Sequence, residues 1–208
     1  MEIYISINGV LRNLIQKINY HYNDGYILAD NIGDDDVFEY GIIEPIRNDN
    51  LLESYKFQSK QQFDYFLHVE YVLEIFGHAG LSHDHAISNL NNLIFENREH
   101  NFTLVGIDEL GKSKPATLFF LSKNGFMGDN IKFAKSEDID KLWGDCDYWI
   151  TDDKKIIDKC PKEKFAIKFN TPYNQHFTNN KEISKLNEIQ ELCFKSLEKI
   201  TTSTSTEL

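Results

Sequence analysis

The stretch MEIYISINGVL constrains the fold more than any other part of the sequence. Ile3, Tyr4, Ile5 and Ile7 form a near-continuous apolar run and Gly9 ends it. Val10, Leu11, Leu14, Ile15 and Ile18 then recur at the period of a helix that lays one face on a sheet. This is a first strand-helix unit, and it delivers two polar side chains, Ser6 and Asn8, to the turn between its halves.

Comparable units return downstream. NFTLVGI (101–107) reads as a strand, and the GKSKPATLFFLSKNG that follows carries Pro115 early in a helix, where a missing N–H matters least. NIKFAK (130–135) is a short strand, CDYWITDD (146–153) an apolar strand ending in paired carboxylates, and KFAIKFNTPYN (164–174) a strand stopped by Pro172. Strands separated by helical stretches predict an α/β fold, a doubly wound, Rossmann-like parallel sheet. YNDGY (22–26) reads as a tight turn, residues 27–60 as loop-rich, and QQFDYFLHVEYVLEIF (61–76) as a helix, with a second helix over roughly 85–99. The 208 residues therefore divide into a core (1–20 plus 101–178), a helical cap inserted at 21–100, and a C-terminal segment, 179–208. That last segment reads as a helix with Ile183, Leu186, Ile189, Leu192, Cys193, Leu197 and Ile200 inward. Its polar end, TTSTSTEL, has nothing with which to form a core, and the segment is a candidate surface for contact with other protein subunits.

Charge and cysteine usage exclude several classes. The net charge of −11 repels nucleic-acid backbones and anionic membranes, and no basic cluster offsets it: Arg12, Arg47 and Arg98 lie far apart and the lysines are scattered. Direct, sequence-specific nucleic-acid binding and membrane partners are not expected. Cys146, Cys160 and Cys193 are odd in number and lack CxxC spacing, as buried, inert thiols of a reducing compartment would be. No leader and no long apolar run is present, so the expectation is a soluble, intracellular product. Asp34, Asp35 and Asp36 read as solvated surface. His78, His83 and His85, at H-x4-H-x-H spacing, match no common metal site and read as a turn joining two helices.

The polar residues at the carboxyl ends of the strands are Ser6-Ile7-Asn8-Gly9, Gly106-Ile107-Asp108 and Thr151-Asp152-Asp153, where ligands bind in open α/β sheets. IYISINGVL resembles the first motif of the haloacid dehalogenase superfamily, an apolar strand followed by D-x-D-G, with both aspartates replaced. DYWITDD resembles the fourth motif of that superfamily. LEIFGHAG, ATLFFLSK and TPYN are similar to its 5'(3')-deoxyribonucleotidase branch, in the small viral and bacterial members. The resemblance spans residues 1 to about 175 and implies a specific chemistry. The first aspartate attacks phosphorus, the second protonates the leaving oxygen, Mg²⁺ is held by the first and fourth motifs, and a Ser or Thr with a Lys binds the phosphoryl oxygens.

Carried over by position, the decisive groups are missing. Ser6 stands at the nucleophile position, Asn8 at the acid/base position and Gly106 at the second-motif hydroxyl, so no catalytic residue is expected. Asp152 and Asp153 are a residual half of the metal site. Lys112 and Lys132, with Lys114 and Lys135, are candidates for the phosphate-binding lysine. The expectation is a catalytically inactive, haloacid-dehalogenase-like pseudoenzyme with no cofactor. Its role is structural, in an oligomeric assembly such as a multi-copy phage virion, located in the host cytoplasm or incorporated in the virion. The alternatives are an Mg²⁺-dependent phosphatase with an atypical site and a nucleotide-binding module that does not hydrolyse.

Overall fold

The structure, a computed structural model, describes residues 1–28 and 40–189. The expected acidic surface at Asp34, Asp35 and Asp36 and most of the C-terminal segment, Cys193 included, lie outside them.

In chain order the elements begin with β1 (Glu2–Ser6), β2 (Arg12–Asn13) and α1 (Leu14–Tyr22), then α2 (Leu51–Ser54), α3 (Lys60–Tyr65), β3 (Gly80–Leu81) and α4 (Ala86–Glu96). The second half runs β4 (Asn101–Ile107), α5 (Lys114–Lys123), β5 (Ile131–Ala134), α6 (Ile139–Asp145), β6 (Tyr148–Thr151), α7 (Lys154–Asp158), β7 (Phe165–Phe169) and β8 (Glu182–Ile183). Six strands form one sheet in the order β5-β4-β1-β6-β7-β8, and every neighbouring pair is parallel. The fold is α/β and Rossmann-like, with helices on both faces.

Side-chain alternation explains the layering. Ile3 and Ile5, Phe102 and Leu104, Tyr148 and Ile150, Ile167 and Phe169 project to one face, where they pack with Ile87, Leu90 and Leu93 of α4 and Phe120 and Leu121 of α5. The intervening Tyr4, Val105 and Trp149 meet Ile139, Leu142 and Trp143 of α6 and Ile156 of α7 on the other. A third cluster, around Ile15, Ile18, Tyr22, Tyr55, Phe66, Ile75 and Phe76, sits beyond the strand ends. Helix α4, inside the stretch 21–100, thus packs with the sheet rather than with this third cluster.

Four local expectations are corrected. The first helix does not begin at Gly9. Leu11 and Arg12 both return their N–H groups to the Ile7 carbonyl, β2 pairs antiparallel with β3, and α1 starts only at Leu14, capped by Asn13 accepting from the Gln16 N–H at 3.3 Å. Val10 and Leu11 therefore fill the sheet core, while Ile15 and Ile18 fill the third cluster. YNDGY does not turn: α1 continues through it as a π-helical stretch, Asn23–Ile27, stacking Tyr22 on Tyr26 at 5.7 Å. The 61–76 helix is broken, because α3 passes into π-helical Phe66–Glu70 and a second such turn at Leu73–Gly77. The segment from 179 opens as a strand: β8 pairs with β7, a 3-10 turn follows at Leu186–Glu188, and Ile183, Leu186 and Ile189 are core residues. No helix among the described residues is long and apolar enough to cross a membrane.

Candidate functional site

The chain passes from β1 to β4 and β5 on one side, then returns to place β6 beside β1 on the other. This reversal splays the loops after β1 and β6 and opens a crevice at their carboxyl ends. A cavity of about 210 Å³ lies there, and Ser6, Asn8, Gly9, Arg12, Thr151, Asp152 and Asp153 are in its wall. Four of the sequence-predicted residues, Ser6, Asn8, Asp152 and Asp153, are therefore brought together.

Their hydrogen bonds are already committed. Ser6 is buried; its hydroxyl donates to Thr151 Oγ1 at 2.9 Å and accepts from Trp149 Nε1 at 3.1 Å. No histidine or carboxylate among the described residues is bonded to it, so nothing activates it as a nucleophile. Asn8 Oδ1 accepts from both Nε (3.1 Å) and Nη2 (2.5 Å) of Arg12. Arg12 is 1% exposed and donates further through Nη1 to the Phe76 carbonyl at 2.6 Å and to Thr117 Oγ1 at 3.0 Å, with its guanidinium 5.2 Å from the Phe76 and Phe120 rings. Burial lowers its pKa to about 9, opposed by the charge of Asp108, so it stays cationic at neutral pH.

Asp152 is held from the opposite wall. Its carboxylate packs against Gly9 so closely that a Cβ there would fall 1.9 Å from Asp152 Cγ, and Gly9 has φ +75°. Asn48 Nδ2 donates to Asp152 Oδ2 at 2.7 Å and to its carbonyl at 2.9 Å, and Asn174 Nδ2 reaches that carbonyl at 3.3 Å. Burial, reinforced by the neighbouring Asp153, raises the Asp152 pKa to about 7 against the Asn48 bond. Asp153 caps α7 by accepting from the Lys155 N–H at 2.8 Å, and burial raises its pKa too. The loop carrying Asn48 is pinned by Asn48 N to the Tyr173 carbonyl (3.2 Å) and by Asp49 to His176 (3.2 Å).

Gly106 lies between two wall residues, Val105 and Ile107. A Cβ at Gly106 would meet the Phe133 ring at 3.1 Å, so a side chain of β5 packs closely against this position. Asp108, two residues on, accepts from the backbone N–H groups of Lys112, Ser113 and Lys114 and holds the turn into α5. None of the candidate lysines lines the cavity. Lys112 is exposed, and Lys132 is bonded to Tyr4 Oη and lies 3.5 Å from Asp145, with Tyr4 on the far face of the sheet. Lys114 lies over Phe133 and Lys135 pairs with Glu137. The three histidines do not converge: His78 packs on Phe119, and His83 packs on Phe169 with Nδ1 at Ser82 Oγ.

The donor set does not fit the Mg²⁺ that the resemblance implies. Position 6 carries no carboxylate, Asn8 Oδ1 faces a guanidinium, and Asp152 is bonded to an amide. Among the described residues no three His, Cys, Asp or Glu side chains gather as metal ligands do. Cys146, buried with its thiol pushed up to about 12, and Cys160 belong to the packing of the far face.

Sequence reasoning missed Arg12, Asn48 and Phe133, and named Thr151 only as part of a strand end. Only Arg12 left a trace, as a charged residue inside the apolar run Val10-Leu11-Leu14-Ile15. No protein-family model and no curated protein matches the chain.

Proposed function

We propose that this protein is a non-catalytic, haloacid-dehalogenase-like pseudoenzyme that acts through contacts with other protein subunits. The observation that carries this reading is the engagement of both motif-one positions by hydrogen bonds internal to the chain, Ser6 with Thr151 and Trp149, Asn8 with the Arg12 guanidinium. A phosphatase needs a free, ionised oxygen at the first and a proton donor at the second. Neither group exists here, and Gly106, with Phe133 packed closely against it, supplies no hydroxyl for a third phosphate contact. Leu73 and Phe119 are exposed apolar side chains that both lie beside Gly77, and an assembly contact would cover them.

The test of catalysis is phosphate release from a panel of deoxynucleoside monophosphates with Mg²⁺. This reading expects no release above buffer. Release that disappears in Asp152→Ala overturns it. For the assembly role, the informative truncation is after Ile189, because a cut after Asn180 would remove β8 and three core residues, Ile183, Leu186 and Ile189. Sedimentation of the full chain and of this truncation should show an oligomer only in the former. A monomer in both removes the role assigned to the C-terminal segment.

A further inference from the structure

The charge around the strand-end cavity is the reverse of a phosphate site. Arg12, the guanidinium in its wall, makes four hydrogen bonds to Asn8, Phe76 and Thr117, and no lysine lines the cavity. The acidic side chains there are Asp152 and Asp153; His83 is also in the wall, and burial lowers its pKa, which favours the neutral imidazole. Asp152 is 8% exposed, and only one of its carboxylate oxygens, Oδ2, accepts from another side chain; no other described residue donates to Oδ1. A carboxylate buried beside another carboxylate is costly unless a donor meets it, and an incoming phosphate would add like charge. The rest of the wall is largely apolar, with Leu14, Leu51, Ile107, Ile156, Phe169 and Tyr173 around the carboxyl pair.

We propose that this cavity binds a small organic cation: an amine on an apolar body, its ammonium at the Asp152–Asp153 carboxyls and its body against Leu51, Ile156, Phe169 and Tyr173. An ammonium supplies N–H donors and the missing positive charge, and the volume accommodates a single ring with a short arm. The inference rests on the reading that the site performs no phosphoryl chemistry, and it adds a ligand to that reading.

The test uses the full chain and two probes of one shape and opposite charge, tyramine and 4-hydroxyphenylacetate, with inorganic phosphate as a third, at mildly alkaline pH. Thermal shift and calorimetry should show binding of tyramine alone. Asp152→Asn, which keeps the size of the side chain, should weaken it at least about tenfold. Leu51→Trp, which fills the cavity from its outer wall, should abolish it with the fold intact by circular dichroism. Absence of tyramine binding, equal binding of the carboxylate or of phosphate, or unchanged affinity in either variant overturns the inference. Phosphate release in the turnover assay would instead overturn the non-catalytic reading, so the two failures are distinct.

Discussion

Arg12 grips Asn8 Oδ1 with two nitrogens, Nε at 3.1 Å and Nη2 at 2.5 Å, four residues apart in sequence and across the tight turn that ends β1. The same guanidinium bonds the Phe76 carbonyl and Thr117, so one buried cation ties the β1 turn, the end of the 61–77 helical stretch and α5 together. Removing it by Arg12→Ala leaves three acceptors, two buried and one half-buried, without donors and should cost roughly 3–5 kcal/mol in denaturant unfolding. Arg12→Lys should recover little of this, since one ammonium lacks the planar fork that serves both sides. Full recovery by lysine would show that charge rather than geometry is what the site requires.

Gly9 answers to two constraints at once, a positive φ and the Asp152 carboxylate where a Cβ would go. Gly9→Ala should destabilise by roughly 3 kcal/mol or more. In combination with Asp152→Ala part of that cost should vanish, with a coupling of at least about 1 kcal/mol in a double-mutant cycle. Strict additivity would mean that the backbone conformation alone sets the penalty.

Asp152 makes stability depend on pH. Its folded pKa is raised to about 7 from an ordinary 3.8, so the native state holds a proton that the unfolded chain releases. Stability from this group is therefore complete at low pH, falls as pH rises between about 4 and 7, and stays reduced above that. Asp152→Asn should match the parent near the lower limit and exceed it increasingly toward the upper one, by at most about 4 kcal/mol, read as the difference in urea midpoints across pH. A constant difference across pH would contradict the shift.

Placing aspartates at both positions, as in the superfamily motif that the chain resembles, should not confer turnover. In Ser6→Asp/Asn8→Asp the carboxylate at position 8 faces the Arg12 guanidinium and pairs with it, which keeps it ionised and unfit as a proton donor. Phe133 still covers Gly106, and no lysine has been brought to the cavity. Phosphate release from the double variant should stay at the buffer level. Turnover with Mg²⁺ would show that the two side chains were all the site lacked.

How much of this was readable in the sequence varies with the range of the contacts. The run NFTLVGI became β4 over residues 101–107 because five of its seven residues are buried and the pattern is local to the strand. The same logic failed at Ile183, Leu186 and Ile189, whose spacing mimics a helix although the first belongs to a strand added at the sheet edge. The site divides in the same way. Ser6, Asn8, Asp152 and Asp153 were legible because each ends a strand of a parallel sheet, and such ends converge. Asn48, which reaches Asp152 from 104 residues away, and Phe133, which covers Gly106, left no local signal. Sequence could not choose among the candidate lysines because the charge of a side chain is visible in sequence and its direction is not. Lys132 points to Tyr4 and Asp145 on the far face.

The central claim, that hydrogen bonds internal to the chain occupy the place of a metal and phosphate site, is tested most directly by calorimetric titration of the full chain with Mg²⁺ and fluoroberyllate, a mimic of the phosphoryl group. Heats indistinguishable from dilution are expected. One-to-one, Mg²⁺-dependent binding that is lost in Asp152→Ala would contradict the account.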